Sequence, residues 1–320
     1  MRQRRSAIGR SLTALGLLAI PALLGAAPAM AAPTCAKPSA HTASPPPLSL
    51  VPASARAQVA PRPMSERCPA GLVPVPKALH GPKRRPPRDN HVTPAPPNPV
   101  GYSHEGVVAY PPGSSWGGYG VIYQATPNLS LTDGGSAHSL AEIWASDSAM
   151  QDAVEVGWTV DRALHGNAIP HLFVFNWRAG VPQCYDGCGW VQVGADYPGE
   201  QVYSTNQSIA YEIYQYQGNW WVLYNGGWMG YFPNSLWSGR FTQSAQVQWF
   251  GEVYSTHNPP CSQMGNGVFP AQLGAAMTSL LYPVSTVYPV LYANPDAPTN
   301  LYDVSLISHG FYYGGPGGGC

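Results

Sequence analysis

Lysine is absent from residue 101 to the end of this 320-residue chain, and the only positive side chains there besides histidine are Arg162, Arg178 and Arg240, against fourteen Asp or Glu. A stretch so poor in cations offers no phosphate-neutralising surface, so a nucleic-acid partner is not expected. Long apolar runs are also missing. Beyond the first thirty residues nothing approaches the ~20 apolar residues that a spanning helix needs, which argues against a membrane anchor. No Gly-x-Ser-x-Gly elbow occurs, since Gly101-Tyr-Ser-His-Glu lacks the second glycine. His104-Glu105 has no second histidine four positions after the first, so a zincin helix is absent. Serine-protease and metalloprotease chemistry therefore lack their sequence signatures.

What is there divides the chain in three. Met-Arg-Gln-Arg-Arg, an apolar run from Leu12 to Leu24 and Ala29-Met30-Ala31 have the layout of a signal peptide, so residues 1–31 are expected to be removed and the protein exported. Residues 32–100 are rich in proline and hold nine Lys or Arg against Glu66 and Asp89, a net of +7. Residues 101–320, with three basic and fourteen acidic side chains, stand at −11. Such halves attract each other, and the attraction weakens when acid protonates the carboxylates. This reads as a basic propeptide inhibiting its own acidic catalytic domain; a merely solvated basic tail is the plainer alternative. Lys83-Arg84-Arg85-Pro86-Pro87-Arg88 is either a processing site or a solvated run.

Six cysteines in an exported chain imply three disulfides. Pairing neighbours gives Cys184 with Cys188 and Cys35 with Cys68, leaving Cys261 for Cys320, although spacing alone leaves other pairings open. Cys184-x3-Cys188 lacks further ligands at a zinc-site spacing, and no metal or cofactor is expected.

From Gly101 onward, short runs dense in Val, Ile, Tyr and Trp alternate with Gly, Asn, Asp and Pro. Strands are expected over 118–124, 139–146, 153–160, 171–177, 189–193, 207–217, 219–225, 228–232 and 245–255, with short helical or irregular excursions at 236–239 and 271–280. No regular helical stripe intervenes. The expected fold is all-β, an antiparallel β-sandwich of two packed sheets with long loops.

In Val154-Glu155-Val156-Gly157-Trp158-Thr159-Val160, strand alternation turns the valines and Trp158 to one face and Glu155, Gly157 and Thr159 to the other. The same alternation turns Val247, Trp249 and Val253 inward and puts Glu252 outward with Gln246, Gln248, Phe250 and Tyr254. Only six glutamates occur from residue 101 onward, and these two sit in its most aromatic, glycine-punctuated strands. Two such carboxylates meeting across a concave sheet could share a proton, one serving as base and one as acid. Gln248, Asn176 and Tyr254 are candidate donors for an oxyanion or for substrate positioning. His171, at the start of a strand, is read as structural.

Glu155-Val-Gly-Trp-Thr-Val, Cys184-Tyr-Asp-Gly-Cys188-Gly-Trp-Val-Gln, Gly218-Asn-Trp-Trp-Val, Gly230-Tyr-Phe-Pro, Trp249-Phe-Gly-Glu252-Val, Met264-Gly-Asn-Gly and the closing Tyr312-Tyr-Gly-Gly-Pro-Gly-Gly resemble the successive motifs of the neprosin family, in order, over nearly all of 101–320. The resemblance implies a β-sandwich glutamic endopeptidase made as a zymogen, with Glu155 and Glu252 catalytic, and proline-directed cleavage of protein or peptide substrates for at least some members. Trp249-Phe250-Gly251-Glu252 departs from the Trp-Gly-Gly-Glu usual in plant members, and Gly230-Tyr231-Phe232-Pro233 from Gly-Tyr-Trp-Pro. These departures bear on substrate preference more than on the reaction. A secreted glycoside hydrolase or a carbohydrate-binding β-sandwich uses similar aromatics and carboxylates, and stands as the alternative.

Overall fold

The structure is a computed structural model, described here for residues 33–39, 42–48, 67–81, 84, 86–87, 101–202, 205–283 and 288–320. The expected signal peptide and the propeptide boundary at residue 100 lie outside the described residues. Residues Ala32–Cys320 form one compact unit. Among the described residues no helix is long and apolar enough to cross a membrane.

Strands are numbered in chain order. A seven-stranded antiparallel sheet runs β15 (Tyr292–Ala293), β3 (Tyr102–Ala109), β13 (Gln246–Tyr254), β5 (His138–Ser146), β6 (Ala153–Asp161), β7 (His171–Arg178), β8 (Val181–Pro182). An eight-stranded sheet runs β16 (Asp303–Ile307), β17 (Gly310–Gly314), β14 (Ala275–Leu281), β4 (Gly117–Gln124), β10 (Gln207–Tyr216), β11 (Asn219–Tyr224), β12 (Gly227–Pro233), β9 (Val191–Gln192). A small ladder joins β1 (Cys35–Ala36) to β2 (Val73–Pro74).

The two large sheets pack because each presents an apolar face at period two. Val154, Val156, Trp158 and Val160 of β6 and Val247, Trp249 and Val253 of β13 share one buried cluster with Ile122, Ile209, Ile213, Trp220 and Val222 of the other sheet. The indole N–H groups here do not go unpaired: Trp158 donates to the Tyr123 carbonyl at 3.1 Å and Trp249 to the Tyr119 carbonyl at 3.2 Å, tying one sheet to the other. Truncating either tryptophan to alanine should cost about 3–5 kcal/mol of stability.

The all-β sandwich is as expected, and so are the three disulfides Cys35–Cys68, Cys184–Cys188 and Cys261–Cys320. The last pins the glycine-rich C-terminus beside residue 261. One expectation fails. Residues 271–280 are not a helical excursion: a single 3-10 turn at Pro270–Gln272 leads into β14, where Ala275 and Met277 point into the core and pair with Tyr313 and Phe311. A register shift between Thr278 and Leu281 hides the alternation. Strand β3 went unforeseen because its polar residues fall on both faces, with His104 on one and Glu105 on the other.

Candidate active site

The second face of the seven-stranded sheet carries the chemistry. Register places Glu155 of β6 opposite Trp144 of β5, Glu142 of β5 opposite both Gly157 and Phe250, and Glu252 of β13 opposite Leu140 and His104. The strands of Glu155 and Glu252 are thus not neighbours. They flank β5, and a third carboxyl, Glu142, stands between them. All three are fully buried. Gly157 is required by this approach, because a Cβ there would lie 2.0 Å from the Ala141 carbonyl oxygen. Its role is to let two backbones close up beside the glutamates.

Into this face reaches Arg84, from the N-terminal basic run. Its Nη1 donates to Glu155 Oε2 at 2.6 Å, and its Nη2 lies 3.3 Å from Glu142 Oε2 and 3.6 Å from Glu252 Oε1. The guanidinium carbon stands 5.2 Å from the Phe175 ring, 5.5 Å from Tyr185 and 5.7 Å from Phe173, a cage of aromatic faces suited to a cation. The approach is guided by backbone pairing: Leu79 and Tyr185 exchange two N–H···O bonds of 2.9 Å, so the segment adds an antiparallel bridge to the loop that Cys184–Cys188 closes.

The three carboxyls differ in their surroundings. Glu155 Oε1 accepts from the Trp177 indole N–H. Glu252 is gripped from both sides, with Oε2 2.7 Å from His104 Nε2 and Oε1 2.7 Å from His138 Nε2. Behind the histidines stand Asp296, 3.5 Å from His104 Nδ1, and Asp161, 3.8 Å from His138 Nδ1. Burial by itself would push all three glutamates up. For Glu252 the Arg84 charge and the hydrogen bonds from His104 and His138 override it, holding the carboxyl well below its ordinary range. Glu142 goes the other way, raised by burial and by the neighbouring Glu155 charge. Burial also raises Glu155, against the pull of Arg84 and Trp177. One anion thus lies beside a pair inclined to hold a proton, the separation that acid–base work requires.

The sequence-expected residues fall as follows. Glu155 and Glu252 share this site through Arg84. Gln248 lies on the same face, accepting from Asn294 Nδ2 at 3.0 Å. Tyr254 is half-buried and stacks on His138, with centroids 5.6 Å apart. Asn176 is placed elsewhere: it pairs with Val154, on the inter-sheet face, and holds Arg178 Nε at 2.9 Å, while Phe175 is the residue opposite Glu155. Phe250 packs edge-on against His104 at 5.4 Å. His171 is structural, stacked on His165 and bonded to Asn167 and Gly199. Sequence reasoning missed Glu142, His104, His138, Trp177, Tyr185 and the role of Arg84. Glu142 was within reach, since Ala141, Ile143 and Ala145 alternate with it as the valines do around Glu155.

A family model for Neprosin matches residues 135–316, more than half of the chain. The chain belongs to the Neprosin family. At family level it is a neprosin-type peptidase, and the match spans Glu142, Glu155 and Glu252, whereas Arg84 and His104 precede it. Among solved structures, an agglutinin from chicken liver is 16% identical, aligned over 47% of this chain and 91% of its own, with a TM-score of 0.26. A galectin from Caenorhabditis elegans is 10% identical over 57% and 96%, with a TM-score of 0.22. A carbohydrate-binding module from Bacillus subtilis is 8% identical over 56% and 88%, with a TM-score of 0.20. At these scores the likeness carries no argument about this neprosin-family chain.

The buried titratable groups imply a pH dependence of stability. Burial, then the Asp303 charge, raises Glu105 from 4.5 to about 9. Burial would lower His104, but hydrogen bonds with Asp296 and Glu252 carry it from 6.5 to about 9. Between pH 6.5 and 9 the folded protein keeps both protons while the unfolded chain has lost them, so stability falls as pH rises through that window. The lowered histidines His165 and His171 act only below 6.5. Each proton contributes about 1.4 kcal/mol per pH unit. Urea midpoints should therefore decline steadily from pH 6.5 to 9, and a flat or rising series contradicts the assignment.

Proposed function

We propose that this chain is an exported glutamic endopeptidase, made as a zymogen, that hydrolyses peptide bonds in acid with Glu252 as general base and Glu155 as general acid. The observation that carries the reading is Arg84, a residue of the N-terminal segment buried among three carboxyls where a substrate's reacting atoms would otherwise sit. The three disulfides fit export to an oxidising compartment.

The chemistry follows from the differing environments. Glu252, hydrogen-bonded by His104 and His138, removes a proton from water as the water oxygen attacks the carbonyl carbon. Glu155 delivers its proton to the carbonyl oxygen, giving a neutral gem-diol. On collapse, one hydroxyl proton returns to Glu155, the C–N bond breaks, and the proton held by Glu252 passes to the leaving nitrogen. The Trp177 indole orients Glu155. Tyr185 Oη, buried and without a hydrogen-bond partner among the described residues, is available to the developing oxyanion. The Phe173, Phe175 and Tyr185 rings offer faces on which a prolyl ring could stack, in keeping with proline-directed cleavage.

Acid serves activation as well. Protonating Glu155 removes the anion that Arg84 Nη1 bonds, so the segment that plugs the site at neutral pH loosens as the pH falls. Glu142 acts here as the neutral partner of Glu155. Glu142→Gln keeps a donor facing Glu155 and should retain turnover within about tenfold, whereas Glu142→Ala should lose about a hundredfold, measured as kcat on one peptide. Equal loss in both variants would assign Glu142 a different role.

The reading is tested by incubating the protein at pH 3 to 5 with a proline-containing protein and, separately, with a soluble β-glycan. New amino termini without new reducing ends are expected. Reducing ends without amino termini would transfer the site to glycoside chemistry.

A further inference from the structure

The far side of the sandwich holds a second built surface. On β10, Ile209, Tyr211 and Ile213 face the inter-sheet core, so Ala210, Glu212 and Tyr214 face the other way. There they meet Tyr119, Trp221, Trp228 and Tyr231 in a separate aromatic cluster. Cross-strand register makes it continuous: Trp221 lies opposite Tyr214 on one side and Tyr231 on the other, and its ring is 4.6 Å from that of Tyr231 and 6.2 Å from that of Trp228.

The polar groups in this cluster are unusual. Glu212 is fully buried opposite Tyr119 and Leu223, and among the described residues neither of its carboxyl oxygens has a hydrogen-bond partner. The indole N–H groups of Trp221 and Trp228 are buried and, among the described residues, unpartnered as well. Burial pushes the Glu212 carboxyl well above its usual range. Those groups stay unpartnered with the N-terminal segment in place, so what the surface offers is its aromatic faces, on which the apolar rings of a proline-rich peptide can stack.

Such a segment is already in place. In Thr42-Ala43-Ser44-Pro45-Pro46-Pro47-Leu48, the Ala43 side chain packs on the cluster and its N–H donates to Tyr231 Oη at 3.0 Å. Pro46 is buried while Ser44, Pro45 and Pro47 are exposed. Ala43 and Pro46, the two least exposed positions of residues 43–48, lie three apart, the period of a polyproline II helix.

We propose that this face of the eight-stranded sheet is a docking site for extended proline-rich peptide, occupied in the precursor by residues 43–48 and open to proline-rich protein once that segment leaves. It lies on the sheet opposite to the one that bears the glutamates, so it captures chains without cutting them and raises their concentration near the enzyme. The inference goes beyond the peptidase reading and rests on binding alone, so each can fail without the other.

The test uses the full chain at pH 7 and the synthetic peptide acetyl-Thr-Ala-Ser-Pro-Pro-Pro-Leu-amide, with binding followed by calorimetry. Replacing Pro45, Pro46 and Pro47 with alanine together weakens the internal competitor without touching the sandwich. That variant should bind the peptide at least about tenfold more tightly than the unaltered chain. Adding Tyr231→Phe should weaken the binding about fivefold through the lost hydrogen bond, and a peptide with alanine at the three proline positions should not bind. Indifference to the three substitutions, equal binding of the alanine peptide, or displacement of the proline peptide by a soluble β-glucan oligosaccharide would each overturn the proposal.

Discussion

Arg84→Ala in the full chain is expected to raise the activity of the unprocessed precursor at pH 6 by about a hundredfold. Arg84 is the one cation of the N-terminal segment that the described structure places within reach of Glu142, Glu155 and Glu252 together. Removing one partner from a buried ionic cluster typically costs about 3–5 kcal/mol. Here much of that loss falls on the segment's hold on the site, because the carboxyls can regain water once the segment leaves. Arg84→Lys should rescue latency only in part: an ammonium can bond Glu155, but it lacks the planar fork whose two ends reach Glu155 and Glu142 separately. The measurement is the initial rate of a fluorogenic peptide before any change in precursor mass. An Arg84→Ala precursor as silent as the unaltered one would remove Arg84 from the inhibitory contact.

Glu252→Gln should lower turnover by at least about a thousandfold, the scale of a lost general base. The isosteric amide keeps the shape of the site and removes its one firmly held anion. The change also has a signature apart from activity. His104 stands at about 9 partly because of Glu252, so in Glu252→Gln its imidazole should titrate lower, visible by NMR. Glu155→Gln should be comparably inactive and leave His104 nearly where it was, since the groups that hold His104 up are Asp296 and Glu252. The double variant should be little worse than either single one, as expected for residues that act as a unit.

Much of this was legible in the sequence, for physical reasons that can be named. The period-two pattern around Val154–Val160 and Val247–Val253 gave both the strands and the outward direction of Glu155 and Glu252, because one inter-sheet core demands one apolar face. The asymmetry between a basic N-terminal segment and an acidic body foreshadowed their contact, and Arg84 is where the described structure realises it. Strand order was not legible. Alternation says which face a residue takes but not which strands adjoin, so the interposed β5 and its Glu142 stayed hidden. The histidines escaped for a related reason: His104 meets Glu252 only through the pairing of β3 with β13, over 148 residues of chain. Asn176 is a strand amide like Gln248, but the register of β7 against β6 pairs it with Val154 and so puts it on the other face. Strand β14 was obscured by an irregular ladder that breaks its alternation.

The central claim, that the two glutamates cut peptide bonds and first free themselves from their own N-terminal segment, is tested most directly by intact-mass spectrometry of precursor held at pH 3. The unaltered chain should shorten from its N-terminus to a body beginning near residue 100 and then release peptides from added protein. Glu155→Gln should remain full-length alone, yet be trimmed to the same body when mixed with the unaltered protein. A precursor that stays whole and inert in acid, or a Glu155→Gln chain that processes itself at the unaltered rate, would contradict the account.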